Sequence, residues 1–386
     1  MKKFIPISLT VAAVLFVGTR WLRSQADTAA TKADAAAAHQ EIKVYSMIDQ
    51  SAGLASEGKR MVEGLNLAIK NINKAGGING KKIKLIEAFD DSYDPAKTKP
   101  FVNKLIAEDK PIIVSPLGSP TTASYMDEIK DKKLFVLAPF SGSPAIRKEH
   151  EHIVHMMPDY NAMELVLFKL AKSQGLKKFA FFAQGDEVTE GVKKIIADAG
   201  ITADDHIFVP YERNTTDFSK QKKQIEEYKP QAIILLTTVA AATAFLRQLG
   251  AENLVGKKLF SIQLGDTKFK QFLKQQGIEK QVTDMQSVPN PEKSDLALVQ
   301  EYREAMGNKK PDPFSFWTYW AMKLFEAIAK NVDGEINADS LAEAAKKVDV
   351  DLGGIKMKYD QKGPNLMPFV FMDDGQGGDW KMTEVK

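Results

Sequence analysis

An α/β architecture follows from three features of the 386-residue chain. Short β-rich runs alternate with amphipathic helical runs from Glu41 onward, the pattern of parallel strands covered by helices. The alternation comes as two separate series, one on each side of HMMPDY at 155–160. The length also exceeds what one core usually holds, since domains run to roughly 100–200 residues. A composition of 44% hydrophobic and 27% charged residues supplies material for two buried cores.

In the first series the expected strands are IKVYSMI (42–48), KIKLIEAF (82–89), PIIVSP (111–116) and LFVLAPF (134–140), with helices starting near Ser56, Asp94, Pro120 and Pro144. Gly76 or Gly77 suits a helix end in left-handed conformation, and Asn79-Gly80 suits a turn into the next strand. GGINGKK lacks the spacing and the Ser/Thr of a phosphate loop. The second series reads KFAFFAQ (178–184), HIFVPYE (206–212), AIILLTT (232–238) and LFSIQL (259–264), each followed by a helical segment. VTDMQSVPNP (282–291) then leads to helices near Lys293, Pro313 and Ala338, and IKMKYD (355–360) with MPFVFMDD (367–374) forms a closing strand pair. The late helices need a sheet to cover, so the chain is expected to return to its first unit before ending in the second, crossing near Met157, Pro289 and Gly353. That assigns 41–156 and 289–352 to one lobe, 157–288 and 353–386 to the other.

At the N-terminus, MKK followed by the apolar run Phe4–Gly18 has the form of an export signal. Ser24-Gln25-Ala26 offers a small-residue cleavage site, while Arg20 and Arg23 after the apolar core favour an uncleaved anchor; 1–26 is one or the other. Residues 27–40 are Ala-rich without an apolar face and read as a linker. Either way the folded part is placed outside the cytoplasm.

Several function classes are excluded. Lys plus Arg number 53 against 50 Asp plus Glu with no long basic block, which gives no electrostatic case for nucleic acid. The absence of cysteine removes disulfides, thiolate metal sites and a cysteine nucleophile. His150, His152 and His155 cluster in HEHIVH, but no distant His pair completes a metal site, and a solvated loop is the better reading. No nucleophile elbow, HExxH or Walker sequence points to an enzyme, and no cofactor motif is present. Asp90-Asp91 and Asp373-Asp374 read as strand-end turn residues. FSFWTYWAMKLF (314–325) has helical spacing and reads as a core helix, with Trp317 or Trp320 reaching a cleft as the alternative.

What remains is a pair of hydroxyl-rich loops. SPLGSPTTAS (115–124) and APFSGSP (138–144) both follow apolar strands, at the carboxyl ends where open parallel sheets collect ligands. Ser119, Thr121 and Thr122 on the first loop, and Ser141, Gly142 and Ser143 before Pro144 on the second, offer hydroxyls and amides to a carboxylate. Helix capping is the competing account of the same residues.

The order of MVEGLNLAIKNINKAGGINGKKIKLIEAFDDSYDPAKT, SPLGSPTTASYMDEI, LFVLAPFSGSP, YERNTTDFSKQKKQIEEYKPQAIILL and GGIKMKYDQKG resembles the periplasmic substrate-binding proteins of branched-chain amino-acid type ABC transporters. The resemblance implies two Rossmann-like lobes joined by three crossing segments, closing on a small molecule in the cleft. It implies that Ser119, Phe140, Ser141 and Gly142 meet a ligand carboxylate, with Gly142 where members carry threonine and Ser141 or Ser143 substituting for the lost hydroxyl. In the second lobe it puts Val188 and Thr238 near positions that are aromatic in amino-acid binders, and Gln263 to Asp266 near the acid that pairs with an α-ammonium. Asp186, Thr238 and Gln263 would close over the ligand, and Glu57, near a ligand-facing position, could meet a cationic group. The implied function is capture of an amino acid or related carboxylate by a monomer, with no chemistry done on it, and delivery to an ABC permease of the inner membrane. A membrane-tethered sensor of the same fold is the alternative.

Overall fold

The computed structural model describes residues 41–147, 151–212, 215–359 and 366–385, the side chains of 186–190 lying outside that description. The export segment 1–26, the linker 27–40 and His150 therefore fall outside the described residues.

Five strands, β1 (Glu41–Met47), β2 (Lys82–Phe89), β3 (Ile112–Val114), β4 (Phe135–Leu137) and β5 (Ile153–Val154), form an all-parallel sheet in the order β2-β1-β3-β4-β5. Its middle strands are IIV and FVL, buried at every position, as expected where helices cover both faces of a parallel sheet. β5 corrects the reading of the histidine stretch as a solvated loop. Ile153 and Val154 pair with β4, and His152 and His155 are buried beside them. The His152 ring bonds through Nδ1 to Leu134 O at 3.0 Å, and its Nε2 lies 3.5 Å from Asp339.

The second sheet is built from β6 (Phe179–Gln184), β7 (His206–Tyr211), β8 (Ala232–Leu236), β9 (Lys258–Ile262) and β10 (Val282–Gln286), all parallel. After the small antiparallel hairpin of β11 (Asp349–Asp351) and β12 (Lys356–Lys358), β13 (Phe369–Asp373) and β14 (Lys381–Glu384) extend that sheet in antiparallel sense, giving the order β14-β13-β10-β9-β8-β6-β7. The expected pairing of 355–360 with 367–374 is therefore not made. Each strand finds a different partner, because β13 lies between β10 and a last strand that sequence patterning did not mark.

Between β10 and β11 the chain supplies the helices Ala297–Met306, Pro313–Ala329 and Ala338–Ala345. The middle one packs on Ala55–Lys74 of the first series: Thr318 Oγ1 donates to Met61 O (2.7 Å), and Trp317 Nε1 donates to Ser115 Oγ (2.8 Å). Trp317 and Trp320 are fully buried, so this is a core helix rather than a source of cleft residues. Its start combines Asp312, which accepts from the Phe314 and Ser315 amides, with Pro313 in the first turn. Near Pro144 only a 3₁₀ turn, Pro144–Ile146, forms; the Arg147 guanidinium donates to Met157 O and folds the segment back. Among the described residues no helix is long and apolar enough to cross a membrane.

Candidate functional site

Two adjoining cavities, of about 600 and 460 Å³, lie between the two sheets and share Ala52, Gly53, Ala240 and Ala244. The larger is lined by Ser56 and Glu57 on one side and Thr243, Arg247, Asp266 and Lys268 on the other. The smaller has Ser92 and Tyr93 facing Gln184, Tyr211 and Thr238. Both walls are made of segments that follow parallel strands, where an open α/β sheet receives ligands.

The first wall holds its shape against backbone preference. Ser92 and Tyr93 after β2, Ser115 after β3 and Ala138 after β4 all have φ between 52° and 56°, a conformation costing roughly 1–2 kcal/mol for a residue with a side chain. Neighbouring groups determine it: Asp90 Oδ1 accepts from the Gln50 and Ser92 amides, and Asp91 accepts from the Tyr93 amide and the Thr98 hydroxyl. Both acids are thus turn residues. Strain of this kind collects where a site must be preformed.

The resulting path lays the Tyr93 ring directly over Gly118, whose φ of 110° suits glycine alone. On the neighbouring loop Tyr160 does the same at Gly142, where a Cβ would lie 2.5 Å from the ring and 2.7 Å from Pro158 O. A threonine at 142 would have no room. The two loops are joined by a parallel bridge between Leu117 and Phe140 and by the hydroxyls of Ser119 and Ser141, 2.7 Å apart. Ser141 Oγ also accepts from the Ser143 amide at 3.1 Å. Either hydroxyl of the pair can be the donor, and Ser119 is the one that is half-buried while Ser141 is fully buried.

Other members of the loops serve the fold. Thr121 is buried and its Oγ1 donates to Leu117 O (2.9 Å) and Gly118 O (3.1 Å); Thr122 is fully buried beside it. Ser143 accepts from the Ala145 amide as cap of the 3₁₀ turn, and the Phe140 ring packs edge-on against Trp317. The seven loop residues singled out from sequence therefore come together, although none of them lines either cavity.

The second wall is made of helix starts. Thr238 caps Val239–Leu249 through the Ala241 amide, and Asp266 caps Thr267–Gln275 through the Phe269 amide at 2.5 Å. Gln263 has a φ of 62°, and its amide nitrogen donates to Ser287 Oγ within the lobe. Asp186 and Val188 fall in the helix Gly185–Asp198, their side chains outside the described residues. Aromatic surface comes instead from Tyr211, whose hydroxyl shares a hydrogen bond with Thr237 Oγ1. Sequence reading passed over Tyr93, Tyr160 and Tyr211. The usable signal was that Tyr93 and Tyr211 each stand at the carboxyl end of a strand, in DDSYDP and FVPYE.

Glu57 and Asp266 meet at the larger cavity. Burial pushes the Glu57 carboxyl up to about 7, and the charges of Asp266, Asp312 and Asp49 add to the rise. Burial likewise pushes Asp266 up to about 6, with Asp312 adding and Arg60 and Lys268 opposing. Among the described residues no group of three or more His, Cys, Asp or Glu side chains is arranged to hold a metal ion.

Comparison with known proteins converges on one group. Residues 41–376 match the periplasmic binding protein family. A leucine-, isoleucine-, valine-, threonine- and alanine-binding protein of Pseudomonas aeruginosa is 25% identical over 351 residues, 86% of this chain and 89% of that one. In fold the chain is similar to the branched-chain amino acid transporter substrate-binding protein of Streptococcus pneumoniae in complex with isoleucine, with a TM-score of 0.73 at 18% identity over 89% of this chain and 99% of that one. A solute-binding protein of an R. palustris ABC transporter in complex with benzoate gives 0.75 at 18% identity, covering 89% and 96%.

Proposed function

The chain belongs to the periplasmic binding protein family and is a binding protein, not an enzyme; from that premise we propose that it captures a small carboxylate-bearing solute in the periplasm and presents it to an ABC permease. The observation that carries this reading is the cleft with residues of both sheets on its walls, next to a fixed pair of hydroxyls at the ends of β3 and β4. The hydroxyl of Ser119 and the amide of Gly142 would hold a carboxylate. Thr121, Thr122 and Ser143 support those loops from beneath, while Tyr93 and Tyr211 offer ring surface and Thr238 a hydroxyl. Closure follows only if the solute binds the closed form better than the open one.

Screening by thermal shift against amino acids, aliphatic carboxylates and benzoates tests this, because a ligand of the folded state raises the melting temperature with its occupancy. A carboxylate that stabilises the protein, with the shift lost in Ser119→Ala, is the expected outcome. Stabilisation by uncharged solutes alone would overturn it. Delivery to a permease is tested separately, by loss of uptake of that solute in cells lacking the protein.

A further inference from the structure

The second hydroxyl loop is fastened to the chain where it leaves the first sheet. After β5 the chain runs through 155–159 into the helix Tyr160–Ser173, which packs on the second sheet, Phe168 meeting Phe181 of β6 edge-on at 5.0 Å. Residues 155–159 are therefore a crossing between the sheets, and the loop grips it. The Arg147 guanidinium donates to Met157 O, and its Nε lies 3.7 Å from Asp159 Oδ2. The Tyr160 amide, first of its helix, is one of those that find no partner inside it. Asp159 caps the Asn161 amide at 2.8 Å, and the Tyr160 amide goes instead to Gly142 O at 2.7 Å. The peptide that accepts it gives its other end to the site. The Ser143 N–H donates to Ser141 Oγ (3.1 Å), which shares a hydrogen bond with Ser119 Oγ (2.7 Å). A line of hydrogen bonds thus runs from a helix of the second sheet to the hydroxyl proposed to meet the solute, and bonds in such a line strengthen one another. Gly142 lets the helix come this close, since a Cβ there would meet the Tyr160 ring at 2.5 Å and Pro158 O at 2.7 Å. The hydroxyl missing at 142 has been exchanged for a contact with the crossing.

We infer that Tyr160 is a positioning residue that couples the hydroxyl pair to the angle between the two sheets, with Arg147 as the strut that keeps the crossing against the loop. The inference rests on reading the cleft as the solute site. When the helix Tyr160–Ser173 turns with the second sheet, its first amide pulls on Gly142 O and turns the 142–143 peptide. Ser141 and Ser119 are then aligned for a carboxylate at one angle and misaligned at another. Linkage makes the effect reciprocal: a solute that fixes the two hydroxyls favours the angle that aligns them. The coupling runs through a backbone amide and a ring that both belong to Tyr160, so the two contributions can be removed one at a time.

The chain has no cysteine, so a pair of labels can be placed without removing any. The experiment puts spin labels on Lys104→Cys and Lys223→Cys, exposed positions on the helices Pro95–Glu108 and Ser219–Tyr228 of the two series, and reads their distance distribution by electron spin resonance. It is run on the labelled protein and on Tyr160→Phe, Tyr160→Ala and Tyr160→Pro in it, without solute and with isoleucine or benzoate, whose binding is followed by calorimetry. Proline is favoured at the first position of a helix and Asp159 is already extended (φ −61°, ψ 137°), so Tyr160→Pro removes the amide and leaves the helix. Melting curves verify that each variant is folded. Without solute, Tyr160→Pro should broaden the distribution, and Tyr160→Phe, which keeps ring and amide, should retain the narrow one. With a probe that binds, the parent should move to a single distance. Tyr160→Pro should bind that probe about three- to tenfold more weakly and move less at saturation, with Tyr160→Ala between the two. A solute-free distribution that is the same in the parent and in Tyr160→Pro overturns the coupling, whether or not a probe binds. So does a Tyr160→Pro variant that loses affinity yet makes the full movement at saturation, because the residue then acts on the site alone. Binding of neither probe by the parent, with the solute-free broadening present, counts against the carboxylate reading and leaves the coupling in place.

Discussion

The two walls of the cleft are built on different terms. The first is knit together before any ligand arrives, with four non-glycine residues in left-handed conformation at strand ends, a tyrosine laid on a glycine in each hydroxyl loop, and a hydroxyl pair joining the loops. The second is a set of helix starts capped by Thr238 and Asp266, with one such strand-end residue, Gln263. A rigid wall fixes where a solute docks, and a wall of helix starts can change its side chains with little effect on its backbone. The contrast separates what is common to a binding fold from what selects a particular solute.

The sharpest way to break that contrast is to disturb a glycine of the first wall. Gly118→Ala forces a side chain into a φ of 110° and into the Tyr93 ring, and backbone strain plus overpacking sum to about 3 kcal/mol. Urea unfolding should show that loss, and a variant as stable as wild type would remove the claim that the wall is preformed.

Second in size is a pH effect. Burial raises Glu57 to about 7 and Glu164 to about 8, so the folded state holds those protons more tightly than the unfolded chain. The associated stability is present below the unfolded carboxyl range near 4.5 and is lost as pH rises through 7 to 8. Glu57→Gln should therefore gain on wild type as pH rises, by roughly 2–3 kcal/mol at pH 8. Melting temperatures of the two proteins from pH 5 to 8 check it, and parallel curves would mean that Glu57 is not desolvated. The second wall is expected to yield less: Thr238→Ala loses one cap, about 1 kcal/mol, measurable by the same unfolding.

Much of the fold was legible because α/β periodicity is local. The strands from β1 to β4 and from β6 to β9 lie where apolar runs predicted them. What escaped was non-local. β5 is two residues long and hides between histidines, and β14, KMTE, carries no apolar alternation and is a strand because β13 offers it an edge. At the site, hydroxyl-rich loops were visible as composition, and their division between solute and fold was not. Thr121 and Ser119 are two residues apart in the same motif, and only three-dimensional placement turns one inward and leaves the other half-exposed. Tyr93 and Tyr160 were missed because each ring acquires its role from the glycine beneath it, and Gly142 is eighteen positions away from Tyr160.

Effects on stability also separate the two serines of the first wall. Ser141 takes part in two hydrogen bonds, to Ser119 and from the Ser143 amide, and is fully buried, whereas Ser119 has one such bond and partial access to water. Ser141→Ala should therefore cost about 1–2 kcal/mol and Ser119→Ala about 0.5, since a lost partner is expensive chiefly where water cannot replace it. For a bound carboxylate the order reverses. Ser119 is the hydroxyl of the pair with access to the solute, and its loss removes a charge-assisted bond, about ten- to a hundredfold in affinity, while Ser141→Ala acts only through the orientation of its neighbour and should cost severalfold. If Ser141→Ala were the more damaging for affinity as well, the hydroxyl pair would be part of the scaffold alone, and the carboxylate would have to rest on the Gly142 amide.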